Sequence, residues 1–185
     1  MIPHPESADA HGLLTQDESE RPGRYLMSCV VIGRSDASRA RSAARSLLLP
    51  GQRRLHFHSE SDRRQRALVA GLLAIDVGAS VFVCRSAPGQ RSPEARAVCL
   101  AAIVVDLQST GEPVRLTLES RHSQDADDHP VIWAARRPTP PLTYEHLSGA
   151  GEPLLWLADA YAWLVGAGGD WQRRLGNSVR VIDVS

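Results

Sequence analysis

The chain is predicted to be an α/β protein in which helices cover the faces of a mixed β-sheet. The hydrophobic pattern reads as two strands followed by alternating strands and helices, an order typical of such a sheet. With 185 residues, 43% of them hydrophobic, the chain suits one domain with a sizeable core. Right-handed crossovers through helices would make the later strands parallel. Together these observations predict one mixed sheet.

The N-terminal half is predicted to hold three strands and two helices. Residues 1–10 are polar, with two prolines, and are expected to be flexible, so the domain is placed at 11–185. β-branched and aromatic residues indicate the strands, and Pro50-Gly51 ends the first helix. The predicted elements are a strand at His11–Gln16, a turn at Asp17–Gly23, a strand at Arg24–Ile32, a helix at Ser35–Leu49, a short strand at Arg54–His58 and a helix at Ser59–Ile75.

The C-terminal half continues the alternation. The helix pattern ends at the run Gly166–Gly169, and a final strand is expected at an edge of the sheet. The predicted elements are strands at Ala79–Cys84, Val114–Glu119, Leu142–Leu147 and Val179–Val184, and helices at Pro93–Ser109, Asp125–Arg137 and Glu152–Val165, with a turn at Pro138–Pro141.

Asp159 is the only charged residue in the apolar run Pro153–Val165. A carboxylate taken out of water without a partner costs several kcal/mol or takes up a proton. Asp159 therefore needs a cation, hydrogen-bond donors or a metal. The run is too short to span a bilayer, so it is interpreted as a buried helix and no membrane association is predicted.

Three further acids fall at the ends of predicted elements. Asp17 follows the first strand, Glu60 begins a helix, and Glu119 ends a strand. Strand ends and helix starts collect at one edge of an α/β sheet. Four carboxylates there would repel one another unless cations lay between them. Mg²⁺ and Mn²⁺ prefer oxygen ligands, and a pair of such ions suits phosphoryl displacement.

Composition limits the chemistry. Net charge is +0 and all 21 basic residues are arginine, so a P-loop lysine and a Schiff-base lysine are excluded. Cys29, Cys84 and Cys99 are odd in number and lie in apolar stretches, as buried thiols do in a reducing cytoplasm. No secretory signal pattern is seen at the N-terminus. A cytoplasmic protein is therefore predicted.

The order of these motifs resembles an uncharacterised family of ribonuclease H-like proteins with a "DES" motif. The matching segments are Asp17-Glu18-Ser19, Leu55–Asp62, Leu116–Glu119, Leu155–Ala160 and Gly168–Trp171. The resemblance implies a ribonuclease H-like fold and two-metal hydrolysis of phosphodiester bonds in RNA or DNA, with Mg²⁺ or Mn²⁺ as cofactor. It implies that Asp17, Glu60, Glu119 and Asp159 are both the catalytic residues and the metal ligands.

Other interpretations of these acids stay open. Asp17 fits a turn, Glu60 fits a helix N-terminus, Glu119 fits a salt bridge to Arg115 or Arg121, and Asp159 fits an ion pair with Arg174. Glu145 and Glu152 are alternative ligands near the same edge. A catalytically inactive binding or assembly module of the same fold is therefore an alternative function.

A zinc-dependent hydrolase is a further alternative, because His56 and His58 are two residues apart on a predicted strand and would share a face. Candidate phosphate contacts are arginines near the acids, namely Arg63, Arg64, Arg173 and Arg174. The four tryptophans, Trp133, Trp156, Trp163 and Trp171, are candidates for stacking on bases, although Trp156 and Trp163 are expected to pack in the core.

Overall fold

The protein forms a six-stranded mixed sheet with helices on both faces. The structure, a computed structural model, describes residues 10–21 (backbone alone), 23–85, 92–121 and 123–185. The strands are β1 (Ala10–Arg21), β2 (Arg24–Gly33), β3 (Gly78–Arg85), β4 (Val114–Glu119), β5 (Leu142–Leu147) and β6 (Arg180–Val184), and the helices are α1 (Ala37–Ser46), α2 (Asp62–Leu73), α3 (Ser92–Gln108), α4 (Asp125–Ala135), α5 (Pro153–Ala167) and α6 (Gly169–Leu175).

The strand order is β5-β4-β1-β2-β3-β6. β1, β2 and β3 are antiparallel neighbours, whereas β4 runs parallel to β1, β5 to β4 and β6 to β3. Parallel neighbours need crossover connections, which α3, α4 and other helices supply here. The predicted parallel pairing of the later strands and the position of the last strand at an edge are confirmed.

β1 is longer than predicted. It continues to Arg21, and Asp17 pairs in register with Leu26 of β2, so the predicted turn from Asp17 onward is wrong. The chain turns only near Gly23, whose φ of 79° is natural for glycine. Pairing with β2, a strong strand former, outweighs the weak β-propensity of the acidic residues. The predicted flexible segment 1–10 lies outside the described residues except for Ala10, which begins β1.

The sheet separates two hydrophobic cores. Side chains of β2 alternate between them: Leu26 and Val30 face α1, α2, α5 and α6, whereas Met27 and Cys29 face α3 and α4. In β4, Leu116 and Leu118 belong to the core beneath α3 and α4. Side chains alternate along a strand, so Glu119 points to the opposite face of the sheet, on which α5 packs. The alternation of each strand thus decides which layer a polar side chain enters.

The segment Arg54–His58 is not a strand. Leu55 and Phe57 are buried while His56 and His58 are exposed, but the segment has no partner strand and ends in a 3₁₀ helix at Phe57–Ser59. Phe57 packs against Trp163 of α5, with ring centroids 5.2 Å apart. Leu55 and Phe57 are buried because they pack toward α5, and the resulting alternation of buried and exposed residues resembles that of a strand.

Helix α5 is almost entirely buried because it lies between the sheet and other helices. It packs over β1, β2 and β3, and α1, α6 and the 3₁₀ helix contact its other sides. This explains an apolar pattern with no polar face. Its continuation as α6, after Gly168 with a φ of 65°, was not predicted. No helix in the described parts of the chain is long and apolar enough to cross a membrane.

Candidate active site

Glu119 is the last residue of β4 and forms an ion pair that reaches across the fold. Arg54, from the loop after α1, places its Nη2 atom 2.6 Å from Glu119 Oε1, with the two side chains only 23% and 13% exposed. The predicted partners were Arg115 or Arg121, but Arg115 pairs with Glu145 of β5 instead, at 3.0 Å. The low exposure makes the contact stronger than a surface ion pair.

Gly149, in the loop between β5 and α5, leaves room for this ion pair. A Cβ atom added at Gly149 would lie 2.5 Å from Arg54 Nη1 and would also overlap Glu119 Oε1. The carbonyl of Gly149 accepts a hydrogen bond from the indole Nε1 of buried Trp156, at 2.5 Å. Three segments distant in sequence therefore meet at this point: the loop after α1, the end of β4 and the start of α5.

Glu60 lies in the same loop system as Arg54. It precedes α2, whose N-cap is Ser61, so the prediction that Glu60 begins the helix is wrong by two residues. Its Oε1 atom accepts a hydrogen bond from Gln52 Nε2 at 2.8 Å, and Arg64 Nε lies 4.0 Å from Oε2. Glu119 and Glu60 are thus both held by polar side chains of the loop after α1 and of the helix that follows it.

Asp159 is half-buried on α5, surrounded by fully buried neighbours, and does not lack an interaction partner. Arg174, its predicted partner in an ion pair, bonds to Asp170 instead, at 2.8 Å. Asp17 belongs to β1, over which α5 packs, but its side chain lies outside the described residues. Convergence of the four carboxylates therefore stays a prediction.

Among the described side chains, no group of three or more His, Cys, Asp and Glu residues is arranged to hold a metal ion. Neither His56 nor His58 belongs to such a group, and they do not share a strand face as predicted. The two alternative ligands, Glu145 and Glu152, already bond to other side chains. Glu152 caps α5 and accepts two bonds of 3.0 Å from Arg41, and Glu145 bonds Arg115 and Thr117.

The predicted phosphate contacts differ in availability. Arg63 is exposed on α2, whereas Arg64 donates to the carbonyl of Leu47. Arg173 and Arg174 both contact Asp170, at 3.5 and 2.8 Å. The hydrogen bond from Arg174, followed by its charge, lowers the pKa of the Asp170 carboxyl. Of these four arginines, Arg63 is the most available to an anion.

Sequence reasoning missed a buried charged cluster on the other face of the same edge. Arg96 of α3 binds Asp128 of α4 through two hydrogen bonds of 2.9 and 2.6 Å, and His146 Nε2 of β5 lies 2.9 Å from Asp128. Burial is the largest single effect and lowers the pKa of Arg96, but the hydrogen bonds and charge of Asp128, with smaller contributions from Tyr25, together raise that pKa above its usual value. Helix α3 also carries Glu94 and Asp106, so Arg96 does not stand out in the sequence as the lone charge Asp159 does.

The described part of the site is therefore a rim where β4 and β5 end. It carries carboxylates that are neutralised by arginines. Around Glu119 the polar side chains come from β4, the loop after α1 and the β5–α5 loop. Such a rim offers both anionic groups for a cation and guanidinium groups for a phosphate.

Comparison with known proteins supports the fold. No protein-family model matches the chain, so the predicted "DES" family is not confirmed, and no curated protein matches it either. Ribonuclease H2 from Pyrococcus horikoshii OT3 superposes with a TM-score of 0.53 at 19% identity, covering 83% of this chain and 70% of that one. Ribonuclease HII from Archaeoglobus fulgidus, solved as a complex with PCNA, superposes with a TM-score of 0.50 at 15% identity, covering 83% and 69%. At these identities the likeness concerns architecture alone. The chain has a ribonuclease H-like fold, an α/β mixed sheet with helices on its faces.

Proposed function

We propose that the chain is a divalent-metal-dependent nuclease that hydrolyses phosphodiester bonds of RNA, DNA or a hybrid in the cytoplasm. One observation carries the proposal: β4, which ends at Glu119, lies beside β1, which contains Asp17, and α5, which contains Asp159, packs over β1. The structural neighbours are named as ribonucleases, which agrees with a nucleic-acid substrate.

In this proposal Asp17, Glu60, Glu119 and Asp159 hold Mg²⁺ or Mn²⁺. Their oxygen atoms are the donors that these ions prefer, and a bound pair would supply an activated water and a stabilised leaving oxygen. The donor type therefore fits. The arrangement of the described side chains does not form a metal site, because the guanidinium of Arg54 neutralises Glu119 and no described group of acids converges. A cation at Glu119 must compete with this guanidinium.

A second candidate is a catalytically inactive ribonuclease H-like module that binds nucleic acid. The Arg54–Glu119 ion pair favours it, since a permanent guanidinium can take the place of the metal as the counter-ion of Glu119. In that case the fold is kept for binding or assembly, and Glu119 serves to position the loop after α1.

Nuclease assays on labelled RNA, DNA and hybrid, each with Mg²⁺, Mn²⁺ or a chelator, test the first candidate. We expect metal-dependent cleavage that is lost in Asp159→Asn and Glu119→Gln. Asp183→Asn is the matched control, because Asp183 is exposed on β6, at the far edge of the sheet. Cleavage that persists in Asp159→Asn, or that disappears equally in the control, contradicts the assignment.

Arg54→Gln separates the two candidates. If a cation competes with Arg54, removing the guanidinium strengthens cation binding, and less Mn²⁺ is needed for half-maximal stabilisation in thermal unfolding. If Arg54 is the permanent counter-ion, the variant is less stable and Mn²⁺ does not restore it. Measuring unfolding with and without Mn²⁺ in wild type and variant distinguishes these results without any activity assay.

A further inference from the structure

A concave surface at the C-terminal end of α4 lies apart from the predicted acids. It encloses about 380 Å³ and borders Leu142, the first residue of β5. At about 3.3 Å per residue, the six residues of β5 separate Leu142 from the rim at Leu147 by about 17 Å. We call it the Trp133 surface, and it is lined by Trp133, Arg136, Arg137, Pro138, Pro141 and Leu142.

Trp133 is the most exposed large apolar side chain among the described residues, at 59%. The guanidinium of Arg136 lies over its ring, 3.6 Å from the centroid. Burying an aromatic side chain of this size would gain about 2–3 kcal/mol. Arg136 covers one face of the ring, and the rest of the exposed indole is a flat apolar surface on which another planar group can stack.

The loop that carries the rest of this surface is held rigidly from below. Gln108 of α3 is only 2% exposed, and its side chain bonds the backbone of Arg137 in both directions, accepting from N at 2.7 Å and donating to O at 3.0 Å. It also donates to the carbonyl of Pro140 at 2.5 Å. The position of the Arg137 backbone is therefore set before any ligand arrives, which lowers the entropic cost of binding.

The Trp133 surface is positively charged. Neither Arg136 nor Arg137 forms an ion pair with an acidic side chain in the described part of the chain. The C-terminus of α4 contributes about half a negative charge, which two guanidinium groups exceed. An exposed aromatic ring beside two arginines that pair with no described acid matches the two groups of a nucleotide, the base and the phosphate.

We propose that the Trp133 surface binds single-stranded nucleic acid, with a base stacked on Trp133 and a phosphate bound by Arg136 or Arg137. The choice of nucleic acid over an acidic peptide rests on the proposed function. It is also favoured by the exposed indole of Trp133, because a planar aromatic surface suits stacking on a base. A strand bound here is held about 17 Å from the rim.

Fluorescence anisotropy with labelled oligothymidylate and oligouridylate, in a chelator that prevents cleavage, tests this site. We expect Trp133→Ala to weaken binding about ten-fold, as loss of one stacked base does, and Trp133→Phe to retain most of the affinity. Arg137→Gln should reduce the slope of log affinity against log salt by about 0.7, the value for one phosphate on a single strand. Leu49→Ala and Arg39→Gln are controls, because both side chains are exposed on or beside α1.

Unchanged oligonucleotide binding in Trp133→Ala overturns the proposal, and so does binding of an acidic peptide in place of the oligonucleotide. The result is separable from the nuclease assignment. Trp133-dependent binding without metal-dependent cleavage leaves this site standing and removes the nuclease. Cleavage that depends on Asp159, together with binding that is indifferent to Trp133, does the reverse.

Discussion

The ion pair between Arg54 and Glu119 is the residue-scale feature that matters most for function. It joins a loop after α1 to the end of β4, with little exposure of either side chain. The partly buried carboxylate of Glu119 therefore needs a cation beside it for the folded protein to be stable. Whether that cation is always arginine decides between the enzyme and the binding module.

Removing Arg54 should destabilise the protein. We expect Arg54→Met to lower the free energy of unfolding by about 1–3 kcal/mol, because a partly buried carboxylate loses its charged hydrogen-bond donor. Arg39→Met is the control: its partner Asp36 is exposed, so the loss should stay below about 1 kcal/mol. Urea unfolding without divalent metal measures both, and equal losses would show that the Arg54 contact is no stronger than a surface pair.

Gly149 should be more sensitive to substitution than its neighbour Gly151. A Cβ atom at Gly149 overlaps the Arg54–Glu119 pair, whereas at Gly151 the nearest atom is the carbonyl oxygen of Ser148 at an ordinary 3.5 Å. We expect Gly149→Ala to cost about 1–3 kcal/mol through crowding and Gly151→Ala to be nearly neutral. Thermal unfolding compares the two, and a neutral Gly149→Ala would mean that the pair is not held as described.

At the scale of elements, most strands and helices could be predicted from their own residues. β4 and β5 match their predicted bounds, and α5 begins one residue after the predicted start. Their hydrophobic patterns and flanking turn residues act locally. The largest errors lie at Asp17–Arg21, where pairing with β2 across the hairpin extends β1, and at Arg54–His58, where α5, distant in sequence, buries Leu55 and Phe57 without a sheet.

The cluster of Arg96, Asp128 and His146 ties α3, α4 and β5 together, and its partners should be strongly coupled. Arg96 and Asp128 side chains are 6% and 2% exposed. We expect Asp128→Leu alone to cost about 3–5 kcal/mol, because it leaves a buried guanidinium without its partner. The double variant Arg96→Met/Asp128→Leu should recover much of that loss. Additive losses in a double-mutant cycle, measured by urea unfolding, would argue against coupling.

Alkaline pH should destabilise the molecule as a whole. Burial raises the pKa of Cys99 from 9.0, and of Tyr25 and Tyr161 from 10.0, to about 12. The unfolded chain loses these protons at lower pH than the folded protein does. The stabilisation from these groups is therefore fully present below about pH 9 and is lost as the pH rises toward 12. Tyr161 alone accounts for about 2–3 kcal/mol. Urea unfolding near pH 8 and near pH 11 measures the fall, and Tyr161→Phe should reduce it; an unchanged fall would contradict the prediction.

None of the three cysteines forms a disulfide, and all are buried. This agrees with their apolar sequence context, which local hydrophobicity alone predicted. The absence of lysine likewise limited the chemistry from the outset, since no fold can supply a lysine that the sequence lacks. Composition and local pattern thus determined the layered α/β architecture and the kinds of catalysis that are excluded.

Tertiary structure alone decided which charges meet. The sequence indicated that Asp159 needs a partner and that Glu119 ends a strand, because burial cost and strand pattern are local properties. It could not indicate that Arg54 reaches Glu119, or that Arg96, Asp128 and His146 form a cluster, since these residues are brought together by strand order and helix packing. Electrostatic partners depend on distance in space, and that distance is set only when the strands pair and the helices pack on the sheet.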